Sequence, residues 1–332
     1  MTTSTSPLRA DIDLEAPGKR VGHVRLPYSA HESAYGWIPI PIAVIRGGEG
    51  PTVLLTAGNH GDEYEGQIAL LKLIRELDPA RLRGRVIVLP RMNLPAAAAG
   101  RRTSPIDGGN LNRVFPGDPD GTVTEQIASY VASVLVPMAE ASIDIHSGGS
   151  SLDYLPCAYA RLPADPGLRA RQRAALEAFG APRAILVENP LTNNSMSATA
   201  LAAGHLHFST EIGGGGTTRP SSQAIADDGV RRFLAHLGMV DDAPPVAAKT
   251  RMMRVAGAEH YVYAPVRGLF EPAFELGDVV VRGQPAGRIH FPEEPERAPR
   301  ELHFAGDGVL VCRRVVSLVA PGDCLAHLAS DL

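Results

Sequence analysis

The sequence contains no long apolar run. No stretch approaches the roughly 18 consecutive apolar residues of a membrane-spanning helix, so no membrane partner is expected. An excess of positive charge is also missing: 32 Lys and Arg against 36 Asp and Glu leave a net charge of −4, which argues against a dominant nucleic-acid-binding surface. Cysteine is scarce. Cys157, Cys312 and Cys324 are odd in number and include no Cys-x-x-Cys spacing, so neither a disulfide framework nor a thiolate zinc site is indicated, and inert thiols are expected. The first twenty residues carry acids at Asp11, Asp13 and Glu15 and no apolar stretch of the secretory kind, so cytoplasmic residence is the expectation.

What remains is a chain of 332 residues, 44% hydrophobic and 20% charged, which at roughly 150 residues per domain suggests about two domains. The stretch Trp37 to Ile45 alternates proline with apolar residues, as an edge strand does. From Pro51 to Gly238, β-rich runs at Thr52 to Thr56, Arg85 to Leu89, Ser142 to Ile145 and Ala184 to Glu188 alternate with helical segments, an α/β pattern. Helices are predicted at Tyr64 to Leu77, with Ile68, Leu71 and Ile74 on the buried stripe, and at Thr124 to Met138, Gly167 to Phe179 and Ser221 to Leu237. After a Pro/Ala-rich linker at Asp241 to Thr250, short runs split by Gly and Pro read as a small all-β module. Within it, Gly268 to Ile289 looks like half of a lipoyl or biotinyl barrel but lacks the carrier lysine, so no such modification is predicted. The expected division is an N-terminal extension with edge strands over 1–40, a main domain over 41–240, and a small β-barrel-like domain over 250–332.

Four polar blocks interrupt this pattern. Gly58-Asn59-His60-Gly61-Asp62-Glu63 follows the strand Thr52 to Thr56 and opens a helix. His60 and Glu63, three residues apart, can converge on one cation at a strand's carboxyl end, where open α/β sheets place their sites. Asp144-Ile145-His146 supplies a second strand-end histidine and completes a two-histidine, one-carboxylate set, which leaves zinc an open position for water. Ser209-Thr210-Glu211 ends another strand with a carboxylate placed to act as general base. Asn110-Leu111-Asn112-Arg113 lies in a Gly/Pro-rich loop, where the Arg113 guanidinium can grip a substrate carboxylate with help from Asn112.

With these blocks in order over Pro51 to Gly216, the sequence resembles the succinylglutamate desuccinylase and aspartoacylase family of zinc carboxypeptidase-like amidohydrolases. The resemblance implies a mixed sheet flanked by helices, with a small C-terminal all-β domain. It implies one Zn2+ per chain on His60, Glu63 and His146, with Glu211 activating the water and Asn112 and Arg113 holding the carboxylate of an N-acyl amino acid. The family also uses an arginine on the scissile carbonyl, for which Arg101 and Arg102 are the candidates and Arg102 the choice. The phrases S-P-I-D-G-G-N-L-N-R and G-N-H-G-D-E-Y-E-G look most like the deacetylases of ectoine breakdown, which act on N-acetyl-2,4-diaminobutyrate. N-acylaspartate, N-succinylglutamate or a peptide C-terminus are the alternatives, and a non-catalytic metal- or ligand-binding protein of the same fold is the reading from another class.

Other residues have blander readings. Asp62 and Asp144 orient metal ligands or satisfy backbone donors nearby. His205 and His207, two apart, read as strand-packing histidines for want of a third partner. Gly213 to Gly216 lacks the features of a phosphate loop and reads as a flexible loop or lid. Glu188, Asp153 and Asp107 are the candidates for a substrate's side-chain ammonium, and a homo-oligomer is expected.

Overall fold

The computed structural model describes residues 6–188 and 193–332; the first five residues of the expected N-terminal extension lie outside them. The chain begins with β1 (Arg9–Ala10), β2 (Gly18–Pro27), β3 (Trp37–Arg46), β4 (Gly48–Ala57), α1 (Tyr64–Glu76), β5 (Arg83–Leu89), α2 (Leu94–Ala99), α3 (Val123–Tyr130) and β6 (Ala141–Ile145). It continues through β7 (Leu152–Tyr154), β8 (Cys157–Arg161), α4 (Pro166–Phe179), β9 (Arg183–Val187), α5 (Met196–Ala202), β10 (Leu206–Glu211) and α6 (Pro220–His236). The C-terminal segment is all β: β11 (Arg251–Val255), β12 (Tyr261–Tyr263), β13 (Gly268–Pro272), β14 (Val279–Val280), β15 (Pro285–His290), β16 (Arg300–His303), β17 (Gly308–Arg314), β18 (Leu318–Val319) and β19 (Cys324–Asp331).

A large mixed sheet runs β1-β2-β3-β5-β4-β6-β10-β8-β9-β11-β19-β17-β14. Its centre, β5-β4-β6-β10, is parallel, and all five residues of β6 are buried, as expected of a strand covered on both faces. One apolar core, including Leu55, Ile143, Phe179, Phe208 and Phe233, lies beneath α1, α4 and α6. The opposite face packs Ile42, Leu54, Ile87, Phe115 and Ile127 under α3. A separate antiparallel sheet, β16-β15-β13-β18, encloses its own core around Phe270, Phe304 and Leu325.

Several local expectations change in the structure. The Trp37 strand is not an edge, because Ala43 to Arg46 pair with β5 while the whole strand pairs with β2. Pro39 and Pro41 fall in the half that lacks a β5 partner, where a missing N–H breaks no ladder. Helix α1 forms as predicted but is rolled: Ala69, Leu70 and Leu73 face the core, Leu71 is exposed, and Ile68 and Ile74 are half-buried. The close approach of Gly66 to β6 explains the roll, since a Cβ there would lie 2.7 Å from Ile145 Cβ. The predicted helix from Thr124 to Met138 is regular only to Tyr130. It then widens through a π turn at Val131–Leu135 and tightens into a 3₁₀ turn at Val136–Met138, where Pro137 lacks the N–H that a regular helix would use.

Candidate metal and substrate site

Three adjacent parallel strands, β4, β6 and β10, deliver the site from their carboxyl ends. The register aligns Thr56 with Asp144 and Asp144 with Ser209, so the carboxyl ends of the three strands open at one level and their loops meet in one place. After β4 the chain turns at Gly58, whose φ is +67°. It then passes Gly61, where a Cβ would lie 2.1 Å from the Ala96 backbone. This close passage fixes the loop against α2 and points His60 and Glu63 inward. Glu63 sits at the N-cap of α1 but makes no side-chain capping bond, which leaves both carboxylate oxygens for the histidines.

His60, Glu63 and His146 are all buried, and one ligand atom from each lies within 4.8 Å of the others. Glu63 Oε1 is 2.7 Å from His60 Nδ1, and Oε2 is 2.8 Å from His146 Nδ1. The far nitrogens are held as well: His146 Nε2 meets Asp144 Oδ2 at 2.7 Å, and His60 Nε2 meets Asn110 Oδ1 at 3.2 Å. Asp144 is itself fixed by Asn59 Nδ2 at 2.8 Å and Thr56 Oγ1 at 2.7 Å. Hydrogen-bonded carboxylates behind a histidine are how metal-ligating imidazoles are oriented. Asp62 does not contact the triad; it accepts from the backbone N–H and hydroxyl of Ser150.

The electrostatics are divided within the triad. Burial opposes ionisation of Glu63, but the charges of His60 and His146 and their hydrogen bonds outweigh it and hold the carboxyl well below its ordinary range. His60 is pushed down, first by burial. His146 also resists charging through burial, yet the charges of Asp144 and Glu63 raise it overall. Glu211 stands apart: burial first, then the negative charge of Glu63, push its carboxyl up to about 8, and Oε2 has no hydrogen-bond partner among the described residues.

These groups open into a cleft of about 370 Å³ lined in part by His60, His146, Arg102, Asn112, Arg113 and Glu211. Arg102 Nη1 lies 3.4 Å from Glu63 Oε1. Arg101 is exposed, and it is its backbone carbonyl that bonds to Gly61. Arg113 is on the exposed rim, within electrostatic reach of Arg102 and Glu211. The Asn112 side-chain carbonyl is already engaged, accepting from the Met196 backbone N–H at 3.1 Å; only its amide NH2 faces other uses.

Other expectations come out differently. None of Glu188, Asp153 and Asp107 lines the cleft. Asp153 pairs with Arg219, Asp107 caps Thr124, and Glu188 lies 3.6 Å from Arg254. The Gly213 to Gly216 run is not a free lid. Its backbone bonds to Gly148, Gly149, Leu152 and Tyr154, and a Cβ on Gly214 would lie 2.1 Å from the Leu152 carbonyl oxygen. His207 is a packing histidine between the hydroxyls of Ser142 and Ser197. Cys157 and Cys312 are buried free thiols, whereas Cys324 reaches the cleft. Residues that the sequence reading passed over also line it: Tyr154, Tyr159 and Arg161 from the main sheet, and Tyr261, Tyr263 and His327 from the C-terminal segment. Asn110 had a signal, two residues before Asn112 in the same motif. The aromatic residues had none, because no fixed spacing links them to the triad.

The fold and site define an α/β protein in which a buried two-histidine, one-carboxylate group able to hold a metal faces a cleft of small-molecule size. Residues 49–237 match the catalytic domain of succinylglutamate desuccinylase/aspartoacylase. The chain belongs to that family, whose enzymes hydrolyse N-acyl amino acids. Over 326 residues it is 45% identical to N-alpha-acetyl-L-2,4-diaminobutyric acid deacetylase of Halomonas elongata, covering 98% of this chain and 95% of that one. Among solved structures, a succinylglutamate desuccinylase/aspartoacylase from Rhodobacter sphaeroides superposes with a TM-score of 0.94 at 41% identity, covering 98% of this chain and 99% of that one. The product-bound ectoine utilization protein EutE (DoeB) from Ruegeria pomeroyi gives 0.94 at 38% identity with the same coverage. No helix among the described residues is long and apolar enough to cross a membrane.

Proposed function

We propose that this protein removes the acetyl group from the α-nitrogen of N-acetyl-L-2,4-diaminobutyrate by metal-assisted hydrolysis, a step in ectoine breakdown. The observation that carries this reading is the end-to-end similarity to the Halomonas deacetylase. The donor set fits zinc, whose usual ligands include imidazoles and carboxylates: His60, Glu63 and His146 are buried and converge on one point. His60, Glu63 and His146 would hold the zinc ion, which would supply Lewis acidity to polarise a carbonyl and ease deprotonation of water.

The chain's own residues do the rest. A cation held by the triad would offset the charge of Glu63 and make the raised Glu211 carboxyl easier to ionise. Glu211 then takes the proton of the attacking water and passes it to the departing amine. Arg102 turns its guanidinium toward the oxyanion that develops on the acyl carbonyl, an electrostatic contribution fixed before reaction. Arg113, with the amide NH2 of Asn112, binds the α-carboxylate and sets the position of the scissile bond.

The test measures amine release from N-acetyl-2,4-diaminobutyrate, N-acetylaspartate and N-succinylglutamate by metal-analysed protein. The first substrate is expected to turn over, chelation to abolish turnover and zinc to restore it. Glu211→Gln is expected to lower kcat by about 10²- to 10⁴-fold with metal content unchanged. Metal-loaded protein inert on all three substrates would instead support a binding role, and preferential turnover of either of the other two would move the substrate assignment.

A further inference from the structure

The lining of the cleft combines the cations Arg102, Arg113 and Arg161 with an aromatic wall that comes largely from the C-terminal strands. Register accounts for the aromatic wall. Tyr154 pairs with Cys312, Cys312 with His327, and His327 with Tyr261, forming a single row across β7, β17, β19 and β12. Directly opposed residues share a face, so this row turns its side chains the same way. The His327 ring stacks on Tyr261 at a centroid distance of 4.4 Å and an angle of 9°, and meets Tyr154 edge-on at 6.2 Å. The Tyr261 hydroxyl is in turn tied to that of Tyr159.

His327 is 2% exposed, yet neither ring nitrogen has a hydrogen-bond partner among the described residues. Buried polar side chains without partners are uncommon, and this one lines a cleft. Burial pushes its pKa down to about 3, with the charge of His260 acting in the same direction. The ring therefore stays neutral and keeps one nitrogen lone pair as an acceptor. Among the described residues that line the cleft, Glu211 is the sole carboxylate. A cationic group entering beside the aromatic wall thus meets an imidazole lone pair, which accepts a hydrogen bond from an ammonium.

We propose that His327, its ring held by the stack on Tyr261 and the edge contact with Tyr154, forms the subsite for a primary ammonium on the substrate's side chain, and so sets the preference for N-acyl diamino acids over uncharged ones. This rests on the deacylase reading above and names the residues that select its substrate. His327 is a specificity residue and takes no part in breaking the amide bond.

The test compares N-acetyl-2,4-diaminobutyrate with N-acetylnorvaline, which replaces the ammonium by a methyl group. Wild type is expected to favour the diamino substrate. His327→Phe keeps the ring stack and removes the lone pair. It is expected to raise KM for the diamino substrate by ~10- to 100-fold while leaving N-acetylnorvaline and metal content unchanged. His327→Gln, which restores an acceptor, recovers part of the loss; should the Phe variant not fold, selectivity of the Gln variant intermediate between wild type and no preference supports the subsite. Wild type without preference, or an equal loss on both substrates, overturns it. If wild type hydrolyses neither compound, the diaminobutyrate reading fails. The subsite is then decided by calorimetric binding of free 2,4-diaminobutyrate against norvaline: tighter diamine binding that His327→Phe abolishes supports it, and equal affinities refute it.

Discussion

Glu63 is buried and Glu211 half-buried at the cleft, and their surroundings drive the two carboxyls in opposite directions. Glu63 lies between two imidazoles and stays ionised; Glu211 has lost its hydration and feels the charge of Glu63. One is thereby suited to hold a cation and the other to exchange a proton near neutrality. His207 shows the same physics without chemistry. It is 1% exposed, and burial holds its pKa down to about 4. Since the unfolded imidazole titrates near 6.5, the unfolded chain binds the extra proton between these values. The stability that His207 contributes is therefore complete above pH 6.5 and lost as pH falls toward 4. The loss is on the order of 3 kcal/mol. Thermal unfolding followed from pH 7 to 4 should show a steep acid limb that His207→Gln flattens; an unchanged limb would mean that His207 charges in the folded protein at little cost.

At the scale of elements, the site depends on how closely α1 lies against β6. Glu63 immediately precedes α1 and His146 immediately follows β6, so the distance between helix and strand becomes the distance between ligands. Gly66 permits that contact: a Cβ there would approach Ile145 Cβ at 2.7 Å and the Ile145 carbonyl oxygen at 2.9 Å. Gly66→Ala would gain about 1 kcal/mol of helix propensity, but the clash with a branched side chain and with backbone forces the helix outward. A net destabilisation of about 1–3 kcal/mol is expected, together with weaker zinc binding, since Glu63 moves with the helix. Isothermal titration of zinc into the metal-free variant tests this, and wild-type affinity in a folded Gly66→Ala protein would show that the loop absorbs the shift. The helix at Tyr64 was legible from its apolar spacing, but its buried stripe was not. The roll is set by Gly66 meeting a strand some eighty residues away, and no local pattern encodes that.

Over the whole molecule, the C-terminal segment is joined to the sheet it follows. Strand β11 pairs in parallel with β9 and antiparallel with β19, and one apolar cluster mixes Cys157 and Ile185 with Met253, Val311 and Ala329. A chain ending at residue 240 would expose the β9 edge and half of that cluster, as well as lose the aromatic wall of the cleft. Such a fragment is expected to aggregate or to unfold without a cooperative transition. A soluble, cooperatively folding 1–240 fragment that still binds zinc would instead make the C-terminal strands a separable addition.

The sequence by itself determined the α/β alternation, the all-β end of the chain and the short polar blocks at the strand ends. Those blocks held His60, Glu63, His146 and Glu211 because strand-end loops are local features, written in consecutive residues. Only the tertiary structure decided which of two neighbouring arginines faces the triad, that Asn112 spends its carbonyl on a helix terminus, and that the glycine run is tied down by backbone bonds. It also decided that Tyr154, Tyr261 and His327 share one row. Such a row depends on register between strands that are up to 173 positions apart, and register is fixed by sheet pairing and burial in three dimensions, with no trace in the spacing of residues along the chain.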